Sequence, residues 1–121
     1  MITLDDIYAA REAIQGALVR TPLIFSEALS DRLGRPLWLK LENLQQTGSF
    51  KPRGVLTKIA ALSDEEKARG LVTISAGNHA QALAYAARAA GVRCTVVMPA
   101  DAPATKIANT RAYGATVILH P

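Results

Sequence analysis

Residues 71–119 read LVTISAGNHAQALAYAARAAGVRCTVVMPADAPATKIANTRAYGATVIL, so that short apolar runs alternate with helical patterns. The apolar runs predict three strands, at 71–74, 93–98 and 115–119. The segments between them predict two helices, at 79–90 and 103–113, each closed by a glycine. This order with short connections predicts a parallel sheet with right-handed crossovers. We therefore expect an α/β fold, an open three-layer parallel sheet with helices on both faces, present here only in part.

The first forty residues predict two helices and a further strand. Thr3 and Asp6 fit a capping box at the start of a helix. A second, short helix is predicted to bury Leu29 and Leu33. Leucines at alternate positions then predict a strand over 37–41.

A lysine lies at the predicted start of another helix, over 50–62. Ser49 is expected to cap that helix, and Pro52 is tolerated in its first turn because the missing N–H would have no partner there. Lys51 then lies at the positive end of the helix dipole, which disfavours a cation and favours the neutral amine that attacks a carbonyl. A solvated lysine in a loop is the simpler alternative. After this helix, Ser63 opens a capping box for a short helix.

A second polar loop, Ser75-Ala76-Gly77-Asn78-His79, joins the end of a predicted strand to the start of a helix. Ligands of open α/β sheets bind at this place, where free backbone N–H groups favour an anion. Gly77 lets a ligand approach the backbone, while Ser75, Asn78 and His79 add donors. The loop therefore predicts a site for a carboxylate or phosphate. Helix capping by Ser75 or Asn78 alone is the alternative.

Composition argues against several other classes of protein. The chain has 121 residues, half of them apolar, with a net charge of +4 and 5% aromatic residues. Because the basic residues are scattered and few aromatic rings are present, we expect no nucleic-acid partner. His79 and His120 have no Cys or carboxylate at ligand spacing, so we expect no metal site. No apolar run is long enough for a membrane span, the N-terminus does not resemble a signal peptide, and Cys94 is the one cysteine. We expect a buried thiol and a cytoplasmic protein.

Three segments together resemble one family of enzymes. Residues 42–54, ENLQQTGSFKPRG, resemble the cofactor-lysine segment of the fold-type II pyridoxal-phosphate enzymes, a group of the tryptophan synthase β-like fold. Residues 75–81, SAGNHAQ, resemble their substrate-carboxylate loop, and residues 98–115 match a third stretch. Pro52 and His79 favour the threonine dehydratase (threonine ammonia-lyase) branch of the serine/threonine dehydratases over cysteine and threonine synthases. Ala76 replaces the second serine typical of serine racemases, which favours elimination over racemisation.

The resemblance implies a cofactor, a reaction and a set of site residues. Pyridoxal 5'-phosphate would form a Schiff base with Lys51, and the amino group of L-threonine or L-serine would then displace the lysine. The released Lys51 would remove the Cα proton of that substrate. The products would be 2-oxobutanoate or pyruvate, and ammonia. Phe50 would pack near the cofactor ring, and Asn78 would donate to the cofactor's phenolic oxygen. The substrate carboxylate would be bound by Ser75, Gly77, Asn78 and His79.

The resemblance also implies that the chain is the N-terminal part of a longer enzyme. Residues 1–45 would begin the large domain, and residues 46–121 would form the start and most of the small α/β domain. The glycine-rich loop for the cofactor phosphate is expected beyond residue 121, and the parent enzyme is expected to be a homo-oligomer. A serine racemase-like enzyme and a non-catalytic binding fragment remain alternatives. A Rossmann-type nucleotide-binding half-domain is disfavoured because its glycine fingerprint is absent.

Overall fold

The computed structural model describes all 121 residues and contains six α-helices and five strands. In chain order these are α1 (Leu4–Ala13), β1 (Leu23–Phe25), α2 (Glu27–Leu33), β2 (Trp38–Lys40), α3 (Lys51–Ala60), α4 (Asp64–Arg69), β3 (Leu71–Ile74), α5 (Asn78–Ala89), β4 (Cys94–Pro99), α6 (Ala104–Ala112) and β5 (Thr116–His120). Two 3₁₀ turns, Glu42–Leu44 and Gln46–Gly48, precede α3. No helix combines the length and the apolar character that crossing a membrane requires.

The second half of the chain forms the predicted parallel sheet. Its strands lie in the order β3-β4-β5, and both pairings are parallel. The observed strands and helices agree with the predicted ranges to within about two residues. Because the strand order follows the chain order, right-handed crossovers place α5 and α6 on one face of the sheet, where they contact each other. The parallel α/β fold is confirmed.

The two faces of this sheet have different environments. Cys94, Val96 and Met98 of β4 are buried beneath the helices. On the opposite face, Val72 and Ile74 of β3 are 74% and 80% exposed. The prediction of a buried strand at 71–74 is therefore wrong for half of its side chains. The chain therefore forms two of the three expected layers, namely the sheet and the helices on one of its faces. No helix of the chain covers the other face.

The apolar core lies between this sheet and the helices α3 and α5. Val55 and Ile59 of α3 are 8% and 4% exposed and lie against the alanine-rich face of α5. Alanine side chains let the two helix backbones approach closely, so the start of α3 is positioned against the start of α5. The buried cluster comprises Val55, Ile59, Ala80, Ala82, Leu83, Ala84, Ala86, Ala87, Cys94, Val96, Met98 and Ala115.

The first forty residues form a hairpin, in which α2 connects the antiparallel strands β1 and β2, and an exposed helix, α1. The capping box of Thr3 and Asp6 is confirmed, and β2 forms within the predicted strand region. Its antiparallel partner β1 was not predicted. Leu29 and Leu33 are 38% and 49% exposed, so the predicted burial of these leucines is wrong. The apolar face of α2 has no partner among these residues.

Candidate functional site

The first polar loop, residues 47–54 around Lys51, and the second polar loop, residues 75–79, meet at a groove between α3, β3 and α5. The groove has a volume of about 520 Å³. Lys51 and Phe50 from the first loop and His79 from the second line it together, although they are about 28 positions apart in the chain. The charged side chains along the groove are basic: Lys51, Arg53 and Lys58. The groove therefore offers an amine and an imidazole with no carboxylate among its lining residues.

Lys51 is the first residue of α3, and its side chain is free to react. Its Nζ lies 5.1 Å from the centre of the Phe50 ring and forms no ion pair. Pro52, which is almost completely buried, anchors the first turn beside it. The lysine is exposed at the positive end of the helix dipole, as the sequence predicted. An unpaired amine in this position suits covalent attachment of a carbonyl compound.

The loop before Lys51 has an unusual backbone. Thr47 and Gly48 have φ angles of +64° and +70°, and a β-branched residue rarely adopts the first of these. The expected capping by Ser49 is not seen, because the cap position is Phe50 and no side-chain bond forms there. Instead, the hydroxyl groups of Thr47 and Ser49 are buried without a partner. Strained backbone and unpaired buried donors are features that concentrate at ligand-binding sites.

An ion pair fixes Arg53 at the back of this loop. Its Nε and Nη2 donate to the two carboxylate oxygens of Glu42 at 2.8 and 2.7 Å, and the hydroxyl of Thr21 donates to the same carboxylate. These bonds, chiefly those from Arg53, hold the pKa of Glu42 below its ordinary value. The same pairing raises the pKa of Arg53. Arg53 is therefore a structural cation held by two hydrogen bonds to a carboxylate, in contrast to Lys51.

Gln45 attaches the loop to the N-terminal segment. Its side chain is buried, its Nε2 donates to the carbonyl of Val19 at 2.8 Å, and its Oε1 accepts from the backbone N–H groups of Val19 and Gln46 at 3.0 and 2.9 Å. The sequence analysis assigned no role to Gln45 or Glu42. Their partners lie 26 and 11 positions away, and local periodicity gives no signal for such pairs.

The second loop leaves the start of α5 open. The helix is preceded by Gly77 and no side chain caps it, so the alternative that Ser75 or Asn78 is merely a cap is not seen. Ser75 Oγ accepts from the Gly77 N–H at 3.3 Å, and Asn78 Oδ1 accepts from Lys106 Nζ at 2.9 Å. A Cβ atom on Gly77 would meet nothing within 4 Å, which shows open space above this turn.

The structure thus places the expected site residues in two adjoining positions. Lys51, Phe50 and His79 line the groove itself, with Phe50 61% exposed. Ser75, Gly77 and Asn78 form the turn that leads into His79, just outside the groove lining. An amine beside a set of anion donors at a helix N-terminus can bind a carbonyl group and a carboxylate at the same time.

Comparison with known proteins identifies the family of this chain. The family model described as "Pyridoxal-phosphate dependent enzyme" matches residues 14–121. The L-threonine ammonia-lyase of Thermotoga maritima is 53% identical over 119 residues, which cover 98% of this chain and 30% of that protein. This chain therefore belongs to the pyridoxal-phosphate-dependent enzyme family, and its cofactor is pyridoxal phosphate.

Solved structures give the same result for the fold. The serine racemase from Dictyostelium discoideum superposes with a TM-score of 0.90 at 44% identity, covering 98% of this chain and 39% of that one. A threonine deaminase from the organism abbreviated T.th. superposes with a TM-score of 0.84 at 50% identity, covering 98% and 37%. The resemblance to fold-type II enzymes and to the threonine dehydratase branch is confirmed. The chain spans 30% to 39% of the length of these relatives.

The residues present fit one end of the cofactor. Lys51 offers an unpaired amine at the groove for the aldehyde carbon. Asn78 offers a side-chain amide at the adjoining turn, with its oxygen held by Lys106 and its nitrogen available to donate. The phosphate dianion needs a nest of backbone N–H groups, and the sequence supplies no glycine-rich loop of that kind within residues 1–121.

Proposed function

We propose that this chain supplies the cofactor lysine and the substrate-carboxylate loop of an enzyme that eliminates water from L-threonine, and also from L-serine. The enamine that remains after loss of water is released and hydrolysed, so the final products are 2-oxobutanoate or pyruvate, and ammonia. The observation that carries this proposal is the meeting of Lys51 and His79 at one groove, because it brings the two sequence motifs together in space. The identity of 53% with an L-threonine ammonia-lyase supports the choice of substrate.

Lys51 has two roles in this proposal. Its amine binds the cofactor, which when bound withdraws electrons from the substrate's Cα and makes the Cα proton acidic. The Nζ atom, freed when the substrate's amino group takes its place on the cofactor and with no carboxylate beside it, would then accept that proton. Val55, Ile59 and Leu83 give the groove an apolar wall beside this amine.

The turn from Ser75 to His79 orients the substrate. The first backbone N–H groups of α5 and the side chains of Ser75, Asn78 and His79 donate to the substrate carboxylate, and Gly77 leaves room for it. Phe50 packs beside the cofactor ring, and Asn78 donates to its phenolic oxygen. Binding the carboxylate at this turn directs the rest of the amino acid toward Lys51.

A serine racemase is the second candidate, because a structure of that enzyme superposes with a TM-score of 0.90. Racemisation needs a proton donor on the face of the substrate opposite the lysine. Ala76 offers no hydroxyl in the carboxylate loop, which supports elimination. An assay of the products separates the two functions, since racemisation yields a D-amino acid, whereas elimination yields a 2-oxo acid and ammonia.

The resemblance supports further proposals about the whole protein. Residues 1–45 form the N-terminal part of a large domain, and residues 46–121 form the start and most of a small α/β domain. The parent enzyme is a cytoplasmic homo-oligomer. These proposals rest on the family and not on contacts within the chain.

Replacing Lys51 tests the proposed function directly. The test uses a full-length enzyme that contains this chain. In it, Lys51→Ala should abolish covalent cofactor binding and ammonia release, because the same amine provides the anchor and the base. Lys58→Ala is the matched control, since Lys58 lines the same groove on the same helix. Borohydride reduction followed by peptide mapping identifies the modified residue. Cofactor found on Lys40, Lys58 or Lys106 would contradict the proposal.

A further inference from the structure

A hydrogen bond joins Asn78 and Lys106 across two helices. Lys106, in the first turn of α6, donates from Nζ to Oδ1 of Asn78 at 2.9 Å. Asn78 is the first residue of α5. No carboxylate pairs with the ammonium group of Lys106, so the amide of Asn78 is its partner in the chain.

The contact is one of two matched bridges between these helices. Asn109 Nδ2 donates to Gln81 Oε1 at 3.3 Å, and both pairs are separated by 28 positions. Helices α5 and α6 follow parallel strands and run in the same direction, so a step of three residues moves both partners by about one turn. The fold therefore sets the position of Lys106 relative to Asn78.

A hydrogen bond on the buried side of α6 also fixes the backbone of Lys106. The hydroxyl of Thr110, which is 0% exposed, donates to the Lys106 carbonyl at 2.8 Å. Helix stability does not explain the choice of lysine, because a cation in the first turn is disfavoured by the helix dipole. The hydrogen bond to Asn78 is the interaction that accounts for a lysine at position 106.

The bond determines which way the Asn78 amide faces. An amide has one acceptor oxygen and two N–H donors, and an ammonium group can contact only the oxygen. With Oδ1 bound by Lys106, the Nδ2 group is directed away and remains free to donate.

We propose that Lys106 is a positioning residue that holds the amide N–H of Asn78 toward the cofactor's phenolic oxygen and favours the ionised form of that oxygen. This inference rests on the proposed function, in which Asn78 donates to the phenolic oxygen. The lysine acts in two ways, by fixing the amide orientation and by adding a positive charge behind it. In this role Lys106 acts through Asn78 and needs no contact of its own with cofactor or substrate.

The absorption spectrum of the bound cofactor tests this role without an activity assay. Ionisation of the phenolic oxygen favours the visible band over the near-ultraviolet band. In the holoenzyme of full length, Lys106→Met should lower the ratio of visible to near-ultraviolet absorption about tenfold, the size of one charge-assisted hydrogen bond. Lys106→Arg, which keeps the charge and the donors, should restore most of the ratio.

Two further variants separate positioning from a general effect on α6. Asn109→Ala removes the second bridge between the same helices and should leave the ratio at its original value. In an Asn78→Ala background, Lys106→Met should cause no further change, because Lys106 acts through Asn78. Two results would overturn the inference. One is an unchanged ratio of visible to near-ultraviolet absorption in Lys106→Met, and the other is an equal fall in that ratio with and without the Asn78 side chain.

The outcome is distinguishable from failure of the proposed function. If Lys51→Ala still binds the cofactor covalently, the proposed function is wrong and the role of Lys106 fails with it. If the cofactor is mapped to Lys51 and Lys106→Met keeps the original spectrum, the proposed function stands and the positioning role of Lys106 alone is refuted.

Discussion

At the scale of single residues, the partners of the two cations in the first turn of α3 give them different roles. Arg53 donates twice to Glu42, whereas Lys51 contacts the face of Phe50 and forms no ion pair. A bound guanidinium stabilises the loop, and an unpaired amine remains reactive. This difference between Arg53 and Lys51 depends on Glu42. Its carboxylate lies between the hairpin and α3 and accepts hydrogen bonds from both Arg53 and Thr21.

We predict that Glu42→Gln destabilises the chain at neutral pH. The pKa of Glu42 is lowered in the folded state by its bonds from Arg53, from an ordinary value of 4.5. Its contribution is therefore complete above the unfolded pKa and is lost as the pH falls through the lower, folded pKa. We expect a loss of about 1–2 kcal/mol at pH 7, at the lower end for a charged bond because Arg53 is partly exposed.

Urea unfolding followed by the fluorescence of Trp38, at low protein concentration, measures this difference. The difference in unfolding free energy between the original chain and Glu42→Gln should narrow as the pH falls below the ordinary pKa of 4.5. It should vanish only below the lower, folded pKa, where the carboxylate is protonated in both states. Glu65→Gln, an exposed change in α4 with no ion pair, is the control and should have little effect. A difference that stays constant down to acid pH would refute the electrostatic explanation.

Two candidate site residues were easier to predict from the sequence than the residues that support their loops. Lys51 and His79 were recognised from loop position and motif, and the structure brings both to the groove. Glu42 and Gln45 were not recognised, because their partners become neighbours only when the chain folds. The expected cap at Ser49 was wrong because Phe50 already adopts the helical conformation, with φ of −71° and ψ of −13°.

At the scale of elements, the packing of α3 on α5 sets the distance between the two loops. We predict that Ile59→Ala costs about 2–5 kcal/mol of stability, because this side chain is 4% exposed and its removal leaves a cavity in the core. The same substitution at Ile74, which is 80% exposed, should change stability by less than about 0.5 kcal/mol. Parallel unfolding curves of the two variants give the comparison. Equal losses would show that α3 and α5 do not form the core described here.

Most elements were predictable because their signals are local. Capping boxes, terminal glycines and apolar runs marked α4, α5, α6 and the parallel strands to within about two residues. Strand β1 was missed because three residues after a proline carry too little pattern, and the pairing with β2 alone defines it. The exposure of Leu29 and Leu33 could not be predicted either, since an apolar pattern indicates that a face needs cover but not which residues supply it.

At the scale of the whole molecule, one face of the parallel sheet has no cover among these residues, and β3 and β5 are both edge strands. Ile74, Val97 and Ile118 are paired across the three strands and form an apolar row on the face away from α5 and α6. Two of the three are at least half exposed, at 80% and 50%. Exposed rows and edges of this kind promote association between chains, and a net charge of +4 offers little repulsion against it.

We therefore predict that residues 1–121 expressed alone self-associate at concentrations in the tens of micromolar and do not deaminate threonine beyond the rate of free cofactor. Sedimentation velocity measures the association. Ile74→Lys combined with Ile118→Lys should shift the chain toward the monomer, because two charges then interrupt the apolar row. Ala60→Lys with Ala61→Lys adds the same charge at the exposed end of α3 and should leave the association unchanged. A monodisperse original chain that converts threonine to 2-oxobutanoate would refute this prediction, since it would show that the uncovered face is compatible with a monomeric, active protein.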